Sequence, residues 1–155
     1  MTKKDITLSN REAIQNLQEL LVDNADDVSI IGDGTTVVHC DEFPLKHSFA
    51  DSVYVRQMNM KAGSAVIGHI HNHEHVWFLL TGHLAVATEK MVEEHISPCY
   101  VVAQPGSKRV IYALEDSIFV NIHKNPNNTR NIEELEKEIV STTFKEYEEY
   151  INKNK

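Results

Sequence analysis

Four histidines stand at alternate positions in the stretch "GHIHNHEHVWFLLTG", residues 68–82: His69, His71, His73 and His75. Residues two apart share a face of a β-strand, so imidazoles leading into the apolar run that begins at Val76 can converge on one point. Neutral imidazole is a donor for divalent transition metals, and three protein ligands leave coordination positions open for water or substrate. One such metal (Zn, Fe, Ni, Mn or Cu) is the expected cofactor. His71 and His75 are the first candidate ligands and His69 the next. His123, which closes "SIFVNIH" in register with Phe119 and Asn121, is the candidate that completes the set.

The remaining residues with chemical potential receive blander readings. His73 falls in the turn between strands and is expected at the surface, as are His83 and His95 beside polar turns. His39 and His47 have no evident partner. Glu74 reads as a turn carboxylate that would act as a base only if it reached a metal-bound water. His75, Trp77 and Leu79 share the strand phase that points inward, which makes Trp77 a core residue or a ligand platform. Tyr54, Arg56 and Met58 alternate on the preceding strand, and Arg56 is expected to be an exterior charge. Cys99 reads as a small buried strand residue, and Tyr112 as exterior.

The elements that must position these groups are legible in the surrounding pattern. Residues 9–23, "SNREAIQNLQELLVD", carry a capping box, Ser9 with Glu12, and apolar residues at helical spacing: Ala13, Ile14, Leu17, Leu20 and Leu21. From residue 28 to 123 the texture becomes nine short β-rich runs, from "VSII" to "SIFVNIH", separated by "GDG", "KAG", "TGH" and "QPG" turns. This predicts a mainly β domain, an antiparallel sandwich or small barrel, over 28–123, with the 1–27 segment packed on it. After "KNPNNTRN", residues 124–155 predict two acidic helical pieces. Asn131 with Glu134 caps the first and Thr143 with Glu146 the second. Their stripe of Ile132, Leu135, Ile139, Phe144, Tyr147 and Ile151 predicts packing on the barrel or a partner contact.

Whole-chain quantities exclude several functions. A chain of 155 residues, 41% hydrophobic, suits one domain with a real core. With 15 basic against 23 acidic residues and a net charge of -8, it lacks the cationic surface that a nucleic-acid backbone demands. No apolar stretch approaches the roughly 20 residues that span a bilayer. Two distant cysteines, Cys40 and Cys99, and no apolar leader after "MTKKDITL" predict a reduced, cytoplasmic setting.

The spacing of Gly63, His69, His71, His75 and Gly82 resembles the first cupin motif, in which two histidines and a glutamate on adjoining strands of a jelly roll hold a divalent metal. His75 stands where that motif has its glutamate. The stretch "AQPGSKRV" resembles the second cupin motif, with Gly106 at the turn and Arg109 in the place of the last metal-binding histidine. A guanidinium has no lone pair to offer a metal. If Arg109 points inward it is there for an anion; otherwise it pairs with an acid such as Glu115 or Asp116.

Residues 47–140, including "SVYVRQMNMKAG" and "QPGSKRVIYALEDSIFVNIH", are similar to small cupin-like proteins encoded by bacteriophages. The resemblance implies an antiparallel jelly-roll (double-stranded β-helix) barrel with a metal at its mouth and a homodimer, and an inward Arg109 adds the expectation of a small anionic ligand. Two classes of function stay open. One is a metal-dependent enzyme of oxygenase, isomerase or lyase type; the other is a non-catalytic phage accessory or structural protein that binds a small ligand or mediates assembly.

Overall fold

The computed structural model describes residues 2–23 and 43–155. The expected strands "VSII" and "TTVVHC" lie outside those residues. Helix α1 spans Lys3–Asp23, followed by strands β1 (Leu45–Ala50), β2 (Val53–Met60), β3 (Ala65–Ile67), β4 (Ile70–His71), β5 (His75–Thr81), β6 (His83–Ala87), β7 (Val92–Ile96), β8 (Cys99–Ala103), β9 (Val110–Ala113) and β10 (Ser117–Lys124). The chain then forms α2 (Ile132–Ile139), β11 (Val140–Ser141) and α3 (Phe144–Lys153).

A five-stranded sheet in the order β1-β2-β10-β5-β8 faces a four-stranded sheet in the order β3-β9-β6-β7. All the pairings among the described residues are antiparallel. Strand neighbours far apart in sequence, such as β2 and β10, are the crossovers of a jelly roll. Alternate residues of both sheets turn inward and fill the space between them. The core comprises Met58, Met60, Val66, Trp77, Leu79, Leu84, Val86, Ile111, Ala113 and Phe119, with Phe43 beside them. Val76, Phe78 and Leu80 take the opposite phase, and Leu80 is exposed.

The glycines that flank the histidine motif are required by backbone geometry. Gly82 turns β5 into β6 at φ +91°, and a Cβ there would strike the Asp116 carbonyl and the Ser117 side chain. Gly63 adopts φ +84°, and its N–H donates to the Ala113 carbonyl at 2.7 Å. Both lie in the left-handed region that side chains other than glycine rarely adopt.

Two expectations need revision. Helix α1 starts at Lys3, so Ser9 lies within the helix instead of capping it. Its packing stripe is also narrow: Ile14 and Gln18 are buried, whereas Leu17 and Leu20 are exposed. Those buried residues are four apart, and Asn10, a further four back, donates to the Glu89 carbonyl at 2.9 Å. Arg11 lies 4.5 Å over the Phe144 ring. The helix therefore touches the β6–β7 turn and α3 along one line.

Of the C-terminal pieces, α2 packs against the barrel through Leu135 and Ile139, whereas α3 buries no residue. Asn131 Oδ1 accepts from the N–H groups of Glu133 and Glu134, and Thr143 Oγ1 from that of Glu146, as the capping pattern predicts. Between the helices, β11 pairs with β4 and sets Val140 opposite His71. Leu135 and Ile139 of α2 close over the buried Tyr54. Leu135→Ala removes a side chain that is 1% exposed. It is expected to cost about 3 kcal/mol through lost burial and a cavity, measured as a lower urea midpoint with an unchanged slope.

Candidate metal centre

Three strands bring three histidines together. His71 ends β4, His75 begins β5, and His123 lies near the end of β10. The link from His71 to His75 is a tight reversal held by Asn72, whose N–H donates to the Ile139 carbonyl at 2.8 Å and whose side-chain amide donates to the Glu138 carbonyl at 3.1 Å. Asn72 Oδ1 accepts from Ser141 Oγ at 2.7 Å. The reversal sets the His71 and His75 ring centroids 3.9 Å apart, with the His123 ring 5.1 and 4.9 Å from them. One ring nitrogen from each histidine lies within 4.8 Å of the other two. His75 and His123 are buried, and His71 keeps a partly accessible edge.

Arg109 enters this cluster from the turn before β9. Its Nη2 lies 3.0 Å from His71 Nδ1 and 3.0 Å from His75 Nε2. The guanidinium can only donate, so both ring nitrogens accept and must be unprotonated. Electrostatics agree. Burial, reinforced by the Arg109 charge, lowers the His75 pKa from 6.5 to about 4. Burial first and neighbouring positive groups second also hold His71 and His123 well below the ordinary histidine range. Desolvation lowers Arg109 itself to about 10, so it stays charged at neutral pH. Among the described residues no carboxylate lies within ion-pair distance of it. Asp116, one of its two expected acidic partners, pairs with Lys61 at 2.6 Å.

The cluster separates two chambers, and both His71 and Arg109 line each of them. The inner chamber, about 70 Å³, has apolar walls that include Met58, Val66, Ile111 and Phe119. The outer one, about 270 Å³, is lined by Trp77, Lys90, His95 and Ser107 among others. In donor type and mutual distance His71, His75 and His123 fit a divalent transition metal: three neutral imidazoles, each with one acceptor nitrogen.

His69 falls outside this group. The chain changes partner between β3, which pairs with β9, and β4, which pairs with β11, and the gap between these strands at Gly68 and His69 breaks the simple alternation. His69 is buried between the inner chamber and a groove under the C-terminal helices. His73 does lie on the turn, with Nε2 2.9 Å from the Tyr150 hydroxyl. Trp77 belongs to the core, 2% exposed and 5.1 Å from the Phe119 ring, while also lining the outer chamber.

Three expectations are corrected. Arg56 is an interior charge, paired with Glu136 at 3.0 Å and lining the inner chamber. Its phase with the buried Tyr54 and Met58 was the available signal. His95 is half-buried, edge-on to Trp77 with centroids 4.9 Å apart. His47, without an evident partner in the sequence, lies with Nδ1 2.8 Å from the Tyr54 hydroxyl. Asn72 and Glu136 were missed, because their roles depend on α2, a distant segment.

The sequence matches no family model, and no curated protein matches it. Solved structures do resemble it. Salicylate 1,2-dioxygenase from Pseudoaminobacter salicylatoxidans is 12% identical with a TM-score of 0.52, over 83% of this chain and 33% of that one. KdgF from Halomonas sp. is 16% identical with a TM-score of 0.49, over 63% of this chain and 94% of that one. A Cupin 2 conserved barrel domain protein from Salinispora arenicola is 14% identical with a TM-score of 0.44, over 64% and 87%. The fold is thus a mainly β, antiparallel jelly roll with three helices among the described residues, and it resembles part of the dioxygenase over most of this chain. None of those helices is long and apolar enough to cross a membrane.

The pH dependence of stability follows from the neutral histidines. Unfolded, His75 binds a proton near pH 6.5; folded, only near pH 4. The unfolded state therefore binds more protons between these values, and stability present above pH 6.5 is lost as pH falls toward 4. His75 alone accounts for about 3 kcal/mol of that loss. Chelator-treated protein should show a melting temperature that drops over this window, with a shallower drop in His75→Gln. A flat profile in the native chain would contradict the buried neutral cluster.

Proposed function

We propose that this protein is a metal-binding cupin in which His71, His75 and His123 hold one divalent transition metal and Arg109 holds a small anionic molecule beside it. The observation that carries the reading is the convergence of three buried, neutral imidazoles from three strands. A bound metal would supply Lewis-acid polarisation of an oxygen ligand. The chain's own contribution is recognition. The Arg109 fork suits a carboxylate or phosphate, and the apolar walls around it raise the strength of that charge pairing by keeping water away. Trp77 offers the outer chamber a flat wall. In this reading the protein is an enzyme acting on a small anion, of oxygenase, isomerase or lyase type.

One observation favours a second reading. The pocket already contains a cation, since Arg109 uses the acceptor nitrogens of two of the three histidines. A non-catalytic protein that binds a small anion through Arg109 alone is consistent with this, as is a phage accessory role.

Elemental analysis of protein purified without an affinity tag separates the two. The metal reading expects about one transition-metal ion per chain in the native protein and a large loss in His71→Ala. It also expects a chelator to lower the melting temperature of the native chain but not of the variant. Free metal at about 100 times its dissociation constant adds about 3 kcal/mol. Metal-free protein stabilised by acetate, with no response to chelator, would support the second reading instead.

A further inference from the structure

Arg109 occupies the imidazole nitrogens that a metal would need. A neutral imidazole has one acceptor nitrogen, and in both His71 and His75 that nitrogen faces Arg109 Nη2 at 3.0 Å. A metal cannot take either ring until the guanidinium releases it. Release has two costs. Arg109 is 7% exposed and its guanidinium loses two hydrogen bonds, with no carboxylate among the described residues placed to receive it. It would also lie beside a dication, and like charges a few ångströms apart repel strongly where water is excluded. An anion removes both costs.

We propose that Arg109 acts as an internal plug of the metal centre, and that a small carboxylate entering the outer chamber draws it off the imidazoles, so that metal and carboxylate bind cooperatively. This rests on the metal reading given above. The outer chamber is the place for the anion because it is the larger, about 270 Å³ against about 70 Å³. Lys90, a second cation, and Ser107 also line it, and Glu93, its one acidic residue among the described ones, lies 3.8 Å from His95. Without an anion the guanidinium seals the centre. With one, the anion satisfies the guanidinium and offsets its charge, and the imidazoles are free.

Zinc binding to the chelator-treated protein, followed by calorimetry in chloride and in acetate at equal ionic strength and corrected for zinc acetate complexes, tests this. Zinc is expected to bind at least tenfold more tightly in acetate, and acetate to bind more tightly by the same factor when zinc is present, as linkage requires. Trp77, the single tryptophan, lines the chamber and reports acetate by fluorescence. Arg109→Met is expected to bind zinc at least tenfold more tightly than the native chain in chloride, with no response to acetate. Equal zinc affinity of the native chain in both buffers overturns the plug, and that measurement needs no variant to fold. An acetate effect that survives in a folded Arg109→Met also overturns it, since acetate would then be acting on the metal directly. Absence of zinc binding in both proteins overturns the metal reading itself, and the plug with it.

Discussion

A buried guanidinium with no carboxylate beside it among the described residues is the constraint around which this barrel is arranged. Burying an unpaired charge is costly, and here the cost is met only in part, by two imidazole nitrogens that must remain unprotonated to accept. That requirement and the desolvation of the rings act in the same direction. The cation keeps the histidines neutral, and the neutral histidines solvate the cation. The same neutrality makes the rings competent metal donors.

Arg109 is held by its backbone as much as by its side chain. The Gly68 N–H donates to the Arg109 carbonyl at 2.9 Å, and β9, which begins at the next residue, is hydrogen-bonded on both sides, by β3 and β6. Its neighbour Lys108 points the other way. Fully buried, it donates to the Thr142 carbonyl at 2.5 Å, and burial pushes its pKa down to about 8. Successive residues therefore carry one cation into the barrel and the other into the seam with α3, as alternation in an extended chain dictates.

The C-terminal hairpin forms part of the site. Its strand β11 completes β4, its α2 carbonyls hold the Asn72 reversal, and its Glu136 neutralises Arg56 beside the inner chamber. Tyr54 ties the two regions together: it packs under Leu135 and Ile139 on one side and stacks 5.9 Å from the His123 ring on the other. Burial raises its hydroxyl pKa to about 12. Mobility in the hairpin would be felt directly at the imidazoles.

Local patterns were sufficient for much of this. Alternation placed His75, Trp77 and Leu79 inward, glycines at 63 and 82 marked turns that demand positive φ, and the Asn131 and Thr143 caps started α2 and α3 where expected, because each depends on residues within a few positions of one another. The short strands β1, β7 and β11 were not legible; β7, "VEEHI", carries little apolar signal, and β11 is two residues long. Which histidines meet was decided by packing. His69 and His71 look equivalent in a straight strand, yet a change of pairing partner between β3 and β4 separates them, while His123 joins from β10, some fifty residues away. Arg56 and Arg109 likewise read as ordinary charges or exceptions to a motif until the barrel closes around them. The sequence by itself determined the fold class and the supply of imidazoles, since periodicity and turn chemistry are local. Only the tertiary structure decided that a cation sits among them, since that depends on contacts between strands and on the exclusion of water.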